Sequence, residues 1–365
     1  MSSNPALAQN RPARPAGRYD PRALEQWTAQ IFQACGVPAE HAIEAAATLV
    51  RSEVRDYKTH GMTRVASYVE RLQAGDFNAR ANMQHRSFPG GIVLDADGAM
   101  GQVAGPYAVR LGRQALAASA ASVFIAVRAC GHLGALGIHA LRAAEAGAFC
   151  IIGQRTPPLL ALPGFPRAAI GHNPIAFGCP VPGADPVVFD VACSVAARGH
   201  ILLAAREGRP IPEGWAVDAS GSPTTEAKAA LQGALLPMGG HKGIGIAMLV
   251  ECLAGAMTAT AASLAPEKNI VPESGAVGRQ GAFLWMLRPD AFADHDFFGQ
   301  YMSQWMETYL AAGGGQARLP GSRGRALEQD AAARGITLPT ATEHELTGLG
   351  ARLGIPFPHA AAKRA

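Results

Sequence analysis

The sequence predicts an α/β protein in which helical segments at both chain ends flank a central region of strands. Apolar residues recur at helical spacing between positions 21 and 72, short β-branched runs lie between 91 and 190, and a helical pattern returns from Thr342 to Leu353. The 365 residues are 48% hydrophobic, which is enough for a sizeable core in one large domain or two smaller ones.

The N-terminal part is expected to be a disordered arm over 1–18 followed by a small helical unit over 19–78. The arm is rich in Pro, Arg and Asn. Asp20 can cap a helix that starts with Pro21, and Ile43 is expected on the apolar face of the next helix. The three helices are predicted over 21–34, 38–55 and 63–72.

The central part, over 79–262, is expected to form the α/β region. A helix predicted over 133–146 lies between two apolar runs and makes one βαβ-like unit. The mixed segment and helices of 263–365 are expected to pack back on the N-terminal helices. The strands are predicted over 91–95, 122–127, 149–153, 176–179 and 187–190.

Composition limits the possible partners and the cellular compartment. The net charge of +4 is spread along the chain, and no basic run alternates with aromatic residues, so we expect no nucleic-acid partner. The N-terminus lacks an apolar signal core and the longest apolar stretches are interrupted, so we expect a cytoplasmic protein without a membrane partner. The six cysteines show no CxxC spacing, which favours buried, reduced thiols over disulfides or a metal site.

Several common catalytic motifs are absent from the sequence. It contains no GxGxxG after a strand, no GxxxxGK[ST], no HExxH and no GxSxG. Hydrolase, zinc-enzyme and P-loop functions therefore lose their usual support. Any nicotinamide site in this chain would also have to be a site of non-Rossmann type.

The first loop with chemical potential contains Thr59, His60, Arg64 and Tyr68. Arg64 and Tyr68 are four residues apart and would share one helix face. An Arg can bind a carboxylate through its fork, and a His can donate a proton near neutral pH. The alternative is an ordinary polar helix start.

The second loop, over 128–139, joins a predicted strand to a predicted helix and contains His132 between glycines. Loops at strand ends carry the functional groups of many α/β proteins, although His132 could equally be a capping residue in a tight turn. A third group comprises 171–174 and 189–194, where Asp190 and Ser194 could hydrogen-bond a ribose or an amide. Asn173-Pro174 is also a strong turn signal by itself.

Together these loops resemble the malate/L-lactate dehydrogenase family of the second type, from about residue 20 to 356. That family also contains ureidoglycolate dehydrogenase, sulfolactate dehydrogenase, diketogulonate reductase and piperideine/pyrroline-2-carboxylate reductase. The resemblance rests on the order and spacing of seven segments: THGMTRVASY (59–68), GHLGALG (131–137), GHNPIAFGCP (171–180), FDVACS (189–194), IPEGWAVDASGSPTT (211–225), LPMGGHKGIGIAM (236–248) and LPG (319–321).

The resemblance implies a non-Rossmann nicotinamide-binding mixed-sheet domain, a helical domain built from both chain ends, and a homodimer with active sites near the subunit interface. It implies hydride transfer between NAD or NADP and C2 of a small carboxylic acid. Catalytic roles would fall to His60, His132 and Arg64. The substrate-binding candidates are Thr59, Tyr68, Arg155, Thr156 and His172. The cofactor-binding candidates are Asn173, Pro174, Asp190, Val191, Ala192, Ser194, His241, Lys242, Pro320 and Gly321.

The chain departs from the common family pattern in ways that leave the substrate open. Arg155 and His172 could supply positive charge for a second anionic group, as in malate or sulfolactate. The alternatives are an NADPH-dependent reductase of a cyclic 2-imino acid and an inactive binder that keeps the fold. The choice between NAD and NADP, and between His60 and His132 as proton donor, also stays open. The departures are Thr59, Arg155-Thr156, His172, Cys193, His200 and Ser322.

Overall fold

The computed structural model describes residues 17–165, 167–258 and 280–360, and it has the α/β architecture with mixed sheets that the sequence predicts. The helices are α1 (Pro21–Ala34), α2 (Ala39–Val54), α3 (Val65–Gln73), α4 (Gly101–Ala117), α5 (Leu136–Glu145), α6 (Arg198–Arg206), α7 (Ala227–Gln232), α8 (His241–Val250), α9 (His295–Ala312), α10 (Ser322–Arg334) and α11 (Thr340–Leu353). The strands are β1 (Arg18–Tyr19), β2 (Gln84–Phe88), β3 (Gly91–Asp95), β4 (Ser122–Cys130), β5 (Phe149–Gln154), β6 (Pro158–Leu160), β7 (Ile170–Gly171), β8 (Ile175–Cys179), β9 (Val187–Val191), β10 (Ala216–Val217), β11 (Pro223–Thr224), β12 (Ala234–Leu235), β13 (Gln280–Leu287) and β14 (Ile336–Thr337).

Helices from both chain ends share one apolar core. The Asp20 side chain accepts a hydrogen bond from the backbone N–H of Arg22 and caps α1, as its sequence position predicts. Buried residues of α1, α2 and α3 pack with Leu346 and Leu349 of α11. The expectation for Ile43 is wrong: its side chain is 59% exposed, because the buried face of α2 is formed by other residues, among them Ala42, Ala45, Ala46 and Leu49.

The larger sheet has seven strands in the order β2-β3-β4-β13-β5-β8-β9. Only β3 and β4 are parallel neighbours in it, and every other neighbouring pair is antiparallel. β13 lies between β4 and β5, so the predicted βαβ unit crosses over an inserted antiparallel strand. The predicted boundary at residue 262 assigns Gln280–Leu287 to the C-terminal part, whereas the strand completes the central sheet.

A smaller, five-stranded sheet has the order β11-β10-β12-β6-β7 and forms its own core with α6, α7 and α8.

A separate two-stranded pairing, β1 with β14, shows that the end of the predicted N-terminal arm is ordered. Residues 1–16 lie outside the described residues. Arg18, however, pairs with Thr337 and donates a hydrogen bond to the carbonyl of Gly335. This partner is more than 300 positions away and leaves no local signal.

α4 is a helix that the sequence patterns did not predict, because it contains Pro106 and three glycines. The glycines are required by close packing. A Cβ at Gly112 would lie 2.3 Å from the sulfur of Met286, and one at Gly105 would lie 2.4 Å from the ring of His139. Low helix propensity is therefore offset by contact with the sheet and with α5.

Within the described ranges, no helix combines the length and the hydropathy needed to cross a bilayer. The cysteines there are free thiols, and four of the six are buried. Cys252 is exposed, contrary to expectation, because it lies on a π-helical turn, Glu251–Ala256, that follows α8 at the surface.

We expect Glu328→Ala to lower the free energy of unfolding by about 3 kcal/mol, because it leaves a buried guanidinium without its partner. The Glu328 carboxylate contacts Arg51 Nε at 2.7 Å and Arg55 Nη1 at 2.5 Å, and the Arg55 side chain is 4% exposed. Urea denaturation measures the change. On the same helix, Arg325→Ala breaks an exposed ion pair with Asp185 and should change stability by less than about 1 kcal/mol. Equal losses in both variants would contradict this account.

Candidate active site

Two histidines predicted from different loops lie side by side in the structure. The ring centroids of His60 and His132 are 5.3 Å apart. The hydroxyl of Tyr68 is 2.9 Å from Nδ1 of His132, and Thr59 Oγ1 is 2.9 Å from Nδ1 of His60. Arg64 donates from Nε to the backbone carbonyl of Thr59 at 2.6 Å. The first and second predicted loops therefore form one cluster.

The turn that carries His60 is held by a buried carboxylate. Two 3₁₀ turns, Lys58–His60 and Met62–Arg64, precede α3. Glu53 Oε2 accepts the backbone N–H of Met62 at 3.0 Å, and a Cβ on Gly61 would lie 2.4 Å from that same oxygen. Neither Thr59 nor Thr63 caps α3, since the Thr63 hydroxyl donates to the carbonyl of Lys58. Gly61 is thus needed for the turn to approach α2.

The loop that carries His132 runs from the end of β4 to the start of α5, as predicted. Two buried glutamines hold its backbone. Gln154 donates from Nε2 to the carbonyl of Gly131 and accepts the N–H of Leu133 at Oε1. Gln102 donates to the carbonyl of His132 at 3.1 Å. Every peptide unit beside the histidine is therefore fixed by a side chain from another element.

Burial keeps both histidines neutral at physiological pH. Desolvation lowers the pKa of His60 to about 3, with further contributions from Arg64 and His172. Desolvation lowers the pKa of His132 as well, and the neighbouring His60 and Arg64 lower it further. An anion bound beside these groups would favour their protonated forms, so the state of the pair depends on what occupies the site.

A second polar cluster contains the predicted residues Arg155, Thr156, His172 and Asn173. The Thr156 hydroxyl lies 3.0 Å from Nδ1 of His172, and the Thr156 N–H donates to Oδ1 of Asn173. Arg155 forms an ion pair with Glu251, Nε to Oε1 at 2.6 Å, and the other Glu251 oxygen accepts from Asn173 Nδ2 at 2.9 Å. The charge of Arg155 is therefore compensated within the protein.

His172 is also held in its neutral form. Desolvation and, to a smaller extent, the nearby Arg198 together lower its pKa to about 4. Asn173, in turn, adopts a positive φ of 30°, which an asparagine tolerates better than most residues. Apart from the ion pair between Arg155 and Glu251, the second cluster thus offers neutral donors and acceptors at pH 7.

The predicted cofactor residues follow β9 and its continuation. Asp190 accepts the N–H of Gly137 at 2.7 Å in the first turn of α5, and burial raises its pKa to about 6. The Pro320 carbonyl accepts from Val188, and Gly321 accepts from Arg55 at 3.0 Å. Val191 pairs with Ile175 of β8. β9 therefore contacts the first turn of α5, the strand β8 and the segment that contains Pro320. Ala192 directly follows β9, Pro174 directly precedes β8, and both residues are half-buried.

Ser194 lies three residues after the end of β9 and connects this strand to the segment before α8. The Ser194 hydroxyl is buried and has no hydrogen-bond partner in the described part of the chain. Ser194 forms a β-bridge with Pro237, shortly before α8 begins. His241 and Lys242 open that helix and are exposed, after two glycines with positive φ.

Three residues that the sequence reasoning did not select have defined positions here: Gln102, Gln154 and Glu251. Gln102 and Gln154 are almost completely buried, and Glu251 bridges Arg155 and Asn173. A signal was available for two of them, because Gln154 ends an apolar strand and Gln102 interrupts a run of small and apolar residues. A buried amide in such a setting requires partners.

Comparison with known proteins shows similarity over most of the chain. The family model described as malate/L-lactate dehydrogenase matches residues 19–347. A Delta(1)-pyrroline-2-carboxylate/Delta(1)-piperideine-2-carboxylate reductase of Pseudomonas aeruginosa is 36% identical, over 85% of this chain and 92% of its own. A (2R)-3-sulfolactate dehydrogenase (NADP(+)) of Chromohalobacter salexigens is 32% identical, over 89% and 96%. The crystal structure of delta1-piperideine-2-carboxylate reductase from Pseudomonas syringae pvar. tomato superimposes with a TM-score of 0.80 at 31% identity, over 91% and 99%.

We expect stability to fall as pH drops below about 6.5, because His60, His132 and His172 have lower pKa values in the folded protein than in the unfolded chain. Their contribution is complete above the unfolded pKa and is lost as pH falls towards the folded values. The slope is at most about 1.4 kcal/mol per pH unit for each histidine. Urea denaturation between pH 7 and 5 measures it. His172→Asn should reduce the slope, whereas a matched change at exposed His344 should not; an unchanged slope in His172→Asn would contradict the prediction.

Proposed function

The chain belongs to the malate/L-lactate dehydrogenase family and is an NAD- or NADP-dependent oxidoreductase of small 2-hydroxy or 2-oxo acids; on that premise, we propose which residues perform the hydride transfer. The observation that carries the assignment is the pairing of His60 and His132 beside Arg64. Two acid–base groups and a carboxylate-binding cation thus meet in one cluster.

Arg64 binds the C1 carboxylate of the substrate. Its Nε already donates to the carbonyl of Thr59, which leaves the terminal nitrogens to form the guanidinium fork. Thr59 orients His60 through the contact at Nδ1. A substrate carboxylate at Arg64 raises the pKa of the neighbouring His60, so binding itself prepares a proton donor for the oxygen at C2.

The cofactor lies along β9 and the start of α8. Ser194 supports this placement with an unpartnered buried hydroxyl, and the segment beside it leads into the glycine turn before α8. A helix N-terminus with Lys242 in its first turn suits phosphate oxygens. When bound, the nicotinamide supplies or accepts the hydride. Asp190 holds the first turn of α5 and so fixes the loop of His132.

The fold assignment that accompanies this function is a non-Rossmann nicotinamide-binding domain with a helical domain built from both chain ends. Its support is the central antiparallel strand β13 in the larger sheet, since Rossmann sites lie on parallel sheets. Support for the helical domain is the core shared by α1, α2, α3 and α11.

The substrate is a monocarboxylate in this proposal. Arg155, which was expected to bind a second anionic group, is neutralised by Glu251 at 2.6 Å. His172, the other candidate, has a pKa of about 4 and carries no charge at pH 7. Malate- and sulfolactate-type dianions would therefore lack a partner for their second charge at this cluster.

A second candidate substrate is a cyclic 2-imino acid, and the neutrality of both histidines favours it. Reduction of a 2-oxo acid adds a hydride to C2 and requires a proton for the oxygen. A protonated cyclic imine already carries its proton on nitrogen, so hydride addition alone gives the neutral amine. A site whose histidines are unprotonated when free meets that requirement without a protein proton.

The assembly in this proposal is a cytoplasmic homodimer, with no nucleic-acid or membrane partner. Exposed apolar side chains near the cofactor region support a protein interface. Val195 directly follows Ser194, and Met248 on α8 is 55% exposed. α9 presents a further row of exposed aromatic residues at four-residue spacing. That row consists of Phe297, Tyr301, Trp305 and Tyr309.

Steady-state assays with NADH and NADPH should show turnover of pyruvate-type 2-oxo acids or of cyclic 2-imino acids, which tests the function directly. In Arg64→Ala we expect kcat/KM to fall about 10–100-fold with either class, because a charge-assisted contact to C1 is lost. Arg64→Lys should recover part of the loss, and exposed Arg113→Ala serves as the control. At least tenfold higher kcat/KM with the imino acid would select the second candidate; no turnover and no binding of either cofactor would refute the function.

Glu251→Gln should raise kcat/KM for oxaloacetate relative to pyruvate by about tenfold, because it releases the charge of Arg155 towards the site. The double variant Arg155→Ala, Glu251→Gln is the matched control and should lose that gain. If the wild-type protein already prefers oxaloacetate, the monocarboxylate assignment is wrong, and loss of that preference in Arg155→Ala would show that Arg155 binds the second carboxylate.

A further inference from the structure

A buried chain of hydrogen bonds runs from α4 through α3 to the ring of His132. Gln102 has no solvent exposure, and its Nε2 is 3.1 Å from the carbonyl oxygen of His132 and 3.2 Å from the hydroxyl of Tyr68. The same hydroxyl is 2.9 Å from His132 Nδ1, and Tyr68 is 2% exposed. The hydroxyl of Tyr68, a predicted substrate-binding residue, thus contacts both Gln102 and His132.

The direction of each hydrogen bond follows from what the groups can donate. A carbonyl oxygen only accepts, so the atom of Gln102 beside the His132 carbonyl must be its NH₂ group. The second hydrogen of that NH₂ then points to the hydroxyl oxygen of Tyr68. The hydroxyl accepts from Gln102 and has one proton of its own. Among the described residues Nδ1 of His132 is the one acceptor within hydrogen-bond distance of that hydroxyl, so pairing this buried proton requires donation to Nδ1. A neutral imidazole whose Nδ1 accepts carries its proton on Nε2.

We propose that Gln102 and Tyr68 are positioning residues that hold His132 as the Nε2–H tautomer. In this arrangement His132 presents a hydrogen-bond donor to the substrate, and His60 donates the proton. The division of roles rests on the proposed function, whereas the tautomer itself does not. A neutral imidazole N–H directed at an oxygen on C2 stabilises the negative charge that develops there during hydride addition.

The placement of Gln102 supports a role beyond packing. Its Oε1 is buried without a hydrogen-bond partner in the described ranges, an unfavourable arrangement that an apolar side chain of similar size would avoid. The preceding residue, Gly101, packs so closely on the loop that a Cβ there would lie 2.1 Å from the His132 carbonyl oxygen. α4 therefore places the Gln102 amide within hydrogen-bond distance of the His132 carbonyl and the Tyr68 hydroxyl.

The test combines the protonation pattern of His132 with kinetics. Long-range ¹H–¹⁵N correlation spectra of the cofactor-free protein distinguish a protonated from an unprotonated ring nitrogen, and His132→Asn assigns the signals. In the wild type we expect one tautomer, with the proton on Nε2. In Tyr68→Phe we expect a mixture of tautomers and a kcat about 10–100-fold lower, with KM within about threefold of the wild type. Gln102→Met, which keeps the volume but removes the donors, should act in the same direction.

Phe77→Leu is the matched control, because the Phe77 ring packs on Tyr68 at 5.6 Å without taking part in the hydrogen bonds. It should lower stability without changing the tautomer or kcat. A wild-type proton on Nδ1, or a single unchanged tautomer in both Tyr68→Phe and Gln102→Met, would overturn the proposal. If the wild type turns over no substrate, the proposed function fails, while the spectra still decide the tautomer.

Discussion

The backbone of the loop between β4 and α5 is the constraint on which the site depends. Gln154 binds this loop from β5, Gln102 binds it from α4, and Asp190 binds the first turn of α5 from β9. Three elements that are separate in the sequence thus fix the seven residues from Gly131 to Gly137. Because buried amides and carboxylates must satisfy their hydrogen bonds, displacement of any one element would leave unpaired polar groups around His132.

Electrostatics within the site follow from the same burial. Removing His60, His132 and His172 from water keeps them neutral, and Arg64 lowers the pKa values of His60 and His132 further. In the proposed mechanism, positive charge beside the substrate carboxylate is concentrated on Arg64, since Glu251 compensates Arg155. In that mechanism an incoming carboxylate would bind Arg64 and, by its own charge, shift the histidines towards protonation. The proposed mechanism thus couples substrate binding to proton supply.

Much of the fold could be predicted from local sequence patterns. The strand at Gly91–Asp95 and the helix at Pro21–Ala34 occur at the predicted positions, because β-branched runs and a capping Asp with a following Pro are local signals. β13 and the pairing of Arg18 with Thr337 could not be predicted, since each depends on a distant partner. The glycine-rich helix α4 could not be predicted either, because it is stabilised by close packing that helix propensity does not describe.

For the site, the sequence by itself determined which chemical groups are available and which loops carry them. Residues such as His60, Arg64 and His132 stand out because their types and spacing match a known order of segments. Only the tertiary structure decided what those groups can do. In the structure the Tyr68 hydroxyl contacts His132, and Glu251 compensates the charge of Arg155. Gln102 hydrogen-bonds the loop that carries His132. Hydrogen-bond direction and desolvation depend on neighbours in space, and neither is encoded in local sequence spacing.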